Sequence, residues 1–229
     1  MPNSPQQIAV IGDIHGCIHT LEKLYRKLSG EKFVYSVGDL VDRGKYSKEV
    51  VAFVIENGIK TVKGNHEDMM LKAVENSDKL LSFMNKETEH YYSNGGRETQ
   101  FSYIGTRSFK DVKKFGKKLK SIGHYEFAVS MPLKYEFKKA VISHAGIITD
   151  GNDITILWNR REPAFIEKLQ IHGHTPLKDF AFKPNHFINI DTGCVYGNKL
   201  TAVIVDTNLG KVIEVIQENC DPKDTGDFN

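Results

Sequence analysis

The sequence predicts a layered α/β fold, on three observations. Short apolar runs end at glycine. Segments with apolar residues at helical spacing follow them. This strand–loop–helix unit occurs three times in succession early in the chain. Ile8–Ile11 is the first run and stops at Gly12. Leu21, Leu24, Tyr25 and Leu28 then mark a helix closed by Gly30. Phe33–Val37 is the second strand. Ser47 is placed to cap a helix carrying Val50, Val51 and Val54, which Asn57-Gly58 ends. Ile59–Val62 is the third strand, ending at Gly64.

From about His66 to Ile122 the pattern turns helical. Phe109, Val112, Phe115, Leu119 and Ile122 form one stripe, and the lysines between 110 and 120 fall mostly off it, as on a solvated helix face. Strand signals return at Tyr125–Val129, Leu133–Phe137 and Ala140–Ser143. Five more follow near Leu169–Ile171, Phe180–Phe182, Phe187–Ile190, Leu200–Val205 and Val212–Val215. The polar tail after Ile216 reads as frayed. No internal repeat or linker divides the chain, so residues 1–229 read as a single domain.

Composition narrows the function classes. A 229-residue chain with 40% hydrophobic and 26% charged residues can bury a core without staples. A net charge of +2 argues against a nucleic-acid polymer or an acidic membrane surface as partner. Cys17, Cys194 and Cys220 are an odd, scattered set that offers no disulfide framework, and a reducing cytoplasm is the expected compartment. No signal peptide or bilayer-length apolar run is read.

The chemistry lies where the strands end. The first three strands run into Gly12-Asp13-Ile14-His15-Gly16, Gly38-Asp39-Leu40-Val41-Asp42-Arg43-Gly44 and Gly64-Asn65-His66-Glu67. Two later strands run into His144-Ala145-Gly146 and Gly173-His174-Thr175. Ligands bind beyond the carboxyl ends of strands in an open α/β sheet, so these loops should converge. Oxygen and nitrogen donors without thiolate suit manganese, iron or zinc better than calcium. A carboxylate between two such ions, roughly 3.5–4 Å apart, can bridge them for in-line phosphoryl displacement.

In order, GDIHG, GDLVDRG, GNHE, HAG and GHT make the chain resemble the metallophosphoesterases. The resemblance is to the phosphoprotein phosphatase branch, with its serine/threonine phosphatases, lambda-type phosphatases and diadenosine tetraphosphate hydrolases. It runs from Gly12 to Thr175. It implies an α/β fold of metallophosphoesterase type, a β-sandwich flanked by helices, with a helical cap at about 76–122.

It also implies roles. Asp13 and His15 would bind a first metal, Asp39 would bridge, and Asn65, His144 and His174 would bind the second. His66 would be the general acid, oriented by Asp42. Arg43 would clamp phosphate together with Arg160 or its neighbour Arg161, in a segment Leu157-Trp158-Asn159-Arg160 like that of the lambda-type enzymes. Two divalent ions, manganese first and iron or zinc as alternatives, would supply the metal-bound hydroxide. Glu67 is expected to support its loop, His172 to back a ligand or pack in its strand rather than ligate, and Cys17 to be a small buried residue.

The diadenosine tetraphosphate branch often lacks the aspartate before arginine and ends its third motif in aspartate. Asp42 and Glu67 therefore direct the first expectation to a serine/threonine protein phosphatase acting on phosphorylated proteins. A bis(5'-nucleosyl)-tetraphosphatase acting on a small phosphorylated substrate is the alternative. A non-catalytic scaffold is the rival of another class, and it would show ligand loss, whereas every expected ligand is in place.

Overall fold

The computed structural model describes residues 5–78, 85–148 and 155–225. Two five-stranded mixed sheets stack with helices outside, the α/β sandwich anticipated from the sequence. The first sheet contains β1 (Gln7–Ile11), β2 (Val34–Ser36), β3 (Lys60–Thr61), β9 (Lys199–Asp206) and β10 (Lys211–Asn219), in the order β10-β9-β1-β2-β3. Its β1, β2 and β3 run parallel, while β9 and β10 are antiparallel additions. The second sheet contains β4 (Lys134–Glu136), β5 (Ala140–Ser143), β6 (Leu169–His172), β7 (Ala181–Lys183) and β8 (Phe187–Asn189), in the order β4-β5-β6-β8-β7. Here β5, β6 and β8 are the parallel strands.

The period-two alternation of β1 separates two cores. Ile8 and Val10 face the second sheet and pack with Ile142, Ile171 and Ile188. Ala9 and Ile11 face outward, against helices α1 (Ile18–Lys27) and α2 (Ser47–Glu56), with Leu21, Leu24, Val50 and Val54. A strand buried on both faces needs the unbroken apolar run that the sequence shows there.

Among the described residues between β3 and β4 lie the helices α3 (Asn65–Glu75), α4 (Lys86–Tyr91), α5 (Arg97–Ile104), α6 (Val112–Ser121) and α7 (His124–Ser130). In α6, Val112, Phe115 and Leu119 are buried and most of the lysines face out. None of the helices among the described residues is long and apolar enough to cross a membrane.

Three local expectations change. Tyr125–Val129, read as strand, lies inside α7. Its aromatic and β-branched residues favour strand, but Gly123, at φ +76°, turns the chain into a helix that packs on α6 and α3. Ser47 begins α2 without capping it, because its hydroxyl accepts from the Asp42 N–H at 3.1 Å. The tail is folded as far as Thr225. β10 runs to Asn219, and the Asp224 carboxylate accepts the N–H groups of His19 and Thr20 at 3.0 and 2.8 Å at the start of α1.

Candidate metal centre

All six parallel strands deliver their following loops to one place. Asp13 follows β1, Asp39 follows β2 and Asn65 opens α3 after β3. His144 follows β5 and His174 follows β6, while Asp191 comes after β8. The turns are tight. A Cβ on Gly173 would lie 1.9 Å from Asp13 Oδ1, and one on Gly64 would lie 2.1 Å from Asp39 Oδ1. Only glycine lets the backbone approach the carboxylates this closely. His15, Asp39, Asp42, Arg43 and His174 all hold positive φ, between 47° and 73°. Such backbones cost energy and persist where the surroundings fix them.

Four donors meet at the centre. His144 Nδ1 donates to the Val37 carbonyl at 2.8 Å, which leaves its Nε2 lone pair facing inward. That lone pair faces Asn65 Oδ1 at 2.8 Å, His174 Nδ1 at 3.2 Å and Asp39 Oδ2 at 3.4 Å. His174 Nδ1 is also 2.9 Å from Asn65 Oδ1. An imidazole lone pair and an amide oxygen cannot hydrogen-bond each other, so their convergence suits a cation between them. Burial, followed by the His144 charge, pushes His174 down to about 3, and burial lowers His144 as well. Both shifts favour the neutral imidazole, the form that ligates a metal.

On the other side of Asp39, His15 Nδ1 donates to the Val41 carbonyl at 2.7 Å and aims Nε2 at Asp39 Oδ2, 3.5 Å away. The Arg43 Nη1 donates to the same Nε2 at 2.7 Å. The Asp13 carboxylate accepts the His174 N–H at 3.1 Å. Burial and then Asp191 and Asp39 push Asp13 well above the usual carboxylate range. Burial and the Asp39 charge push Asp191 to about 7. Burial opposes the ionised form of Asp39 too, but His144, His66 and His15 outweigh it and hold that carboxyl low. Three buried carboxylates crowded together need positive charge, and the donor set fits two divalent ions that share Asp39.

A second constellation adjoins the first. His66 Nδ1 donates to Asp42 Oδ2 at 2.7 Å, and its Nε2 lies 3.9 Å from Asp39 Oδ2. Burial works against its protonated form, yet Asp39 and the Asp42 hydrogen bond raise His66 above its ordinary value. The other Asp42 oxygen accepts from the Thr99 hydroxyl at 2.6 Å. Glu67 accepts N–H groups from Gly64, Asp39 and Leu40 at 2.9, 2.9 and 2.8 Å, the loop-supporting role expected of it.

Residues 7–204 match the calcineurin-like phosphoesterases. The chain belongs to that family. It is 33% identical over 238 residues to an asymmetrical bis(5'-nucleosyl)-tetraphosphatase PrpE of Oceanobacillus iheyensis, covering 86% of this chain and 87% of the relative. It is 30% identical over 218 residues to serine/threonine-protein phosphatase 1 of Salmonella typhimurium, covering 86% and 90%. A crystal structure of a putative diadenosine tetraphosphatase superposes with a TM-score of 0.60 at 22% identity, over 95% of this chain and 96% of that one, and shows the shared fold. The calcineurin-like phosphoesterase fold implies a dinuclear divalent metal site, and the chain is a metal-dependent phosphoester hydrolase.

Two further side chains emerge around this phosphoesterase centre. Asp191 carried a readable signal, since Ile190-Asp191-Thr192-Gly193 follows a strand as the earlier motifs do. Thr99 carried none, because it sits on a helix and meets Asp42 only through the fold. Of the paired arginines, Arg160 acts on both His174 and Asp191. The Arg161 N–H is spent on a turn closed by Asn159 Oδ1 at 2.9 Å. His172 is buried on β6 against Phe187, outside the donor cluster, and burial pushes it to about 4.

Proposed function

We propose that this chain hydrolyses dinucleoside tetraphosphates off-centre, releasing a nucleoside triphosphate and a monophosphate, with a manganese pair at the centre. The supporting observation is the series of tetraphosphatase relatives, which align with 84–86% of the chain. They favour the small-molecule alternative over the phosphoprotein substrate first expected. The site adds support: the Tyr196 ring is 58% exposed and lies 5.8 Å from the Arg43 guanidinium. A flat aromatic face beside a phosphate clamp suits a nucleobase joined to a phosphate chain.

In this reading Asp13, His15 and Asp39 hold one ion, and Asp39, Asn65, His144 and His174 the other. The ions when bound would supply Lewis acidity and an acidified water. Arg43 and Arg160 grip the phosphate oxygens. His66, whose protonated form Asp39 and then Asp42 favour, donates from Nε2 to the leaving phosphate oxygen. Of the cap expected at about 76–122, residues 79–84 lie outside the described residues; residues 85–122 act as its described part, since Gly95 O accepts the Arg43 N–H at 3.3 Å and Thr99 holds Asp42.

The deciding measurement compares manganese-supported turnover of diadenosine tetraphosphate with that of a phosphoserine peptide. The nucleotide is expected to be the better substrate by kcat/KM, and a better phosphopeptide overturns the proposal. Tyr196→Ala should raise KM for the nucleotide about tenfold, from the loss of one stacked base, and leave p-nitrophenyl phosphate unchanged. The second reading, a protein phosphatase, is favoured by the Salmonella relative.

A further inference from the structure

The three cysteines lie far apart in sequence, yet their sulfurs all fall within 4.8 Å of one another. We propose that Cys17, Cys194 and Cys220 form a second metal site, a three-thiolate site for a soft d10 ion of the zinc(II) and copper(I) class.

Each sulfur comes from a separately anchored segment. Cys17 directly precedes α1, and its N–H donates to the Ile14 carbonyl at 3.1 Å. Cys194 opens the 3-10 turn Cys194–Tyr196, between Gly193 and Gly197, both at positive φ. Cys220 follows β10, and its N–H donates to the Asn198 carbonyl at 2.8 Å. The backbone therefore holds the thiols together before any ligand arrives.

Geometry favours an ion over a disulfide. A disulfide uses two sulfurs at about 2.05 Å and strands the third. Three sulfurs around one ion, each at about 2.3 Å, stand roughly 3.8–4.0 Å apart. Closing the present triangle to that size takes shifts of under about 1 Å. Cys17 and Cys194 are buried in the apolar core, which keeps competing water away. Cys220 is half-buried and offers the way in.

The ligand chemistry also separates this site from the phosphoesterase centre. That centre offers only oxygen and nitrogen, whereas thiolates select soft ions. Cys17 Sγ lies 3.7 Å from the His15 carbonyl, so a bound ion would tie the tail and the turn after Asp191 to the first metal loop.

Cadmium(II) is the probe, because its thiolate complexes absorb in the ultraviolet through charge transfer and its oxygen and nitrogen complexes do not. The full-length protein, reduced and stripped with chelator, is titrated with cadmium(II). The band is expected to saturate at about one equivalent per chain. Asp39→Asn should keep the band, because it alters only the oxygen–nitrogen centre. Cys220→Ser, at the half-buried position, should keep its fold and basal activity and lose cadmium affinity by at least about tenfold. Cadmium should raise the melting temperature of the native chain by more than that of Cys220→Ser, in which only the oxygen–nitrogen centre still binds the ion. The proposal is overturned by a native chain that gives no band or by a Cys220→Ser band as tight as the native one. A disulfide between two of the three, with no cadmium uptake after its reduction, overturns it too.

Discussion

The strand-end loops and the helical stretch from α4 to α7 both reach the phosphoesterase centre, by different means. The loops carry the donors themselves. Asp13, Asp39, His144 and His174 each sit within three residues of a strand end, held by glycine turns and backbone hydrogen bonds. The helical stretch holds what the loops present. Thr99 on α5 fixes Asp42, and Gly95 lies so close to Arg43 that a Cβ there would come within 2.9 Å of its backbone nitrogen. The oxygen and nitrogen donors are thus set by the sandwich, while Asp42, the partner of His66, and Arg43 are held from two sides. Substitutions should show this as a graded series.

The largest loss belongs to the sandwich side. Asp39→Asn removes the carboxylate shared by both donor sets, and turnover with manganese should fall by about 10³-fold or more. Bound manganese, counted by elemental analysis, should drop alongside. Near-native turnover would mean that the two sets do not share this residue.

His66→Asn should cost about 10²–10³-fold in kcat and leave manganese content unchanged. The loss should be larger for a phosphoserine peptide, whose alkoxide leaving group needs a proton, than for p-nitrophenyl phosphate, whose leaving group does not. An equal loss on both substrates would assign His66 to metal binding and erase the distinction between the two constellations.

That distinction also explains what could be read in advance. The donor positions were legible because each is a short side chain at a strand end beside glycine, a local pattern. Asp191 has the same pattern and lacked only a second chemical residue to draw notice. Thr99 was illegible, because its partner is 57 residues away and nothing local distinguishes it from any helical threonine. The cysteines were misleading for the same reason: sequence separation hid a spatial cluster. Among elements, α7 was misread because strand propensity at Tyr125, Phe127 and Val129 yielded to packing against α6.

Asp42→Asn tests the electrostatic share of the helical support. In the proposed mechanism the protonated His66 imidazole is the active form, and Asp39 and then Asp42 raise its pKa. Removing the negative charge lowers that pKa. The descending alkaline limb of kcat against pH should therefore move to lower pH, with the acidic limb in place. A limb that does not move would show that Asp42 only orients His66.

Thr99→Val is the smallest effect and the sharpest test of the comparison, because it acts from the helical side alone. Valine keeps the shape of threonine and removes the hydroxyl that donates to Asp42 Oδ1 at 2.6 Å. The Asp42 N–H, which uses Thr99 Oγ1 at 2.8 Å, retains Ser47 Oγ at 3.1 Å. One net hydrogen bond contributes about 1 kcal/mol, so kcat should fall roughly fivefold. The Asp42 charge is unchanged and no ligand is touched, so manganese content and the size of the loss with Asp39→Asn should stay as they are. A fall in manganese affinity instead would mean that α5 supports the donors as well as the acid, and the division between sandwich and helices would then be withdrawn.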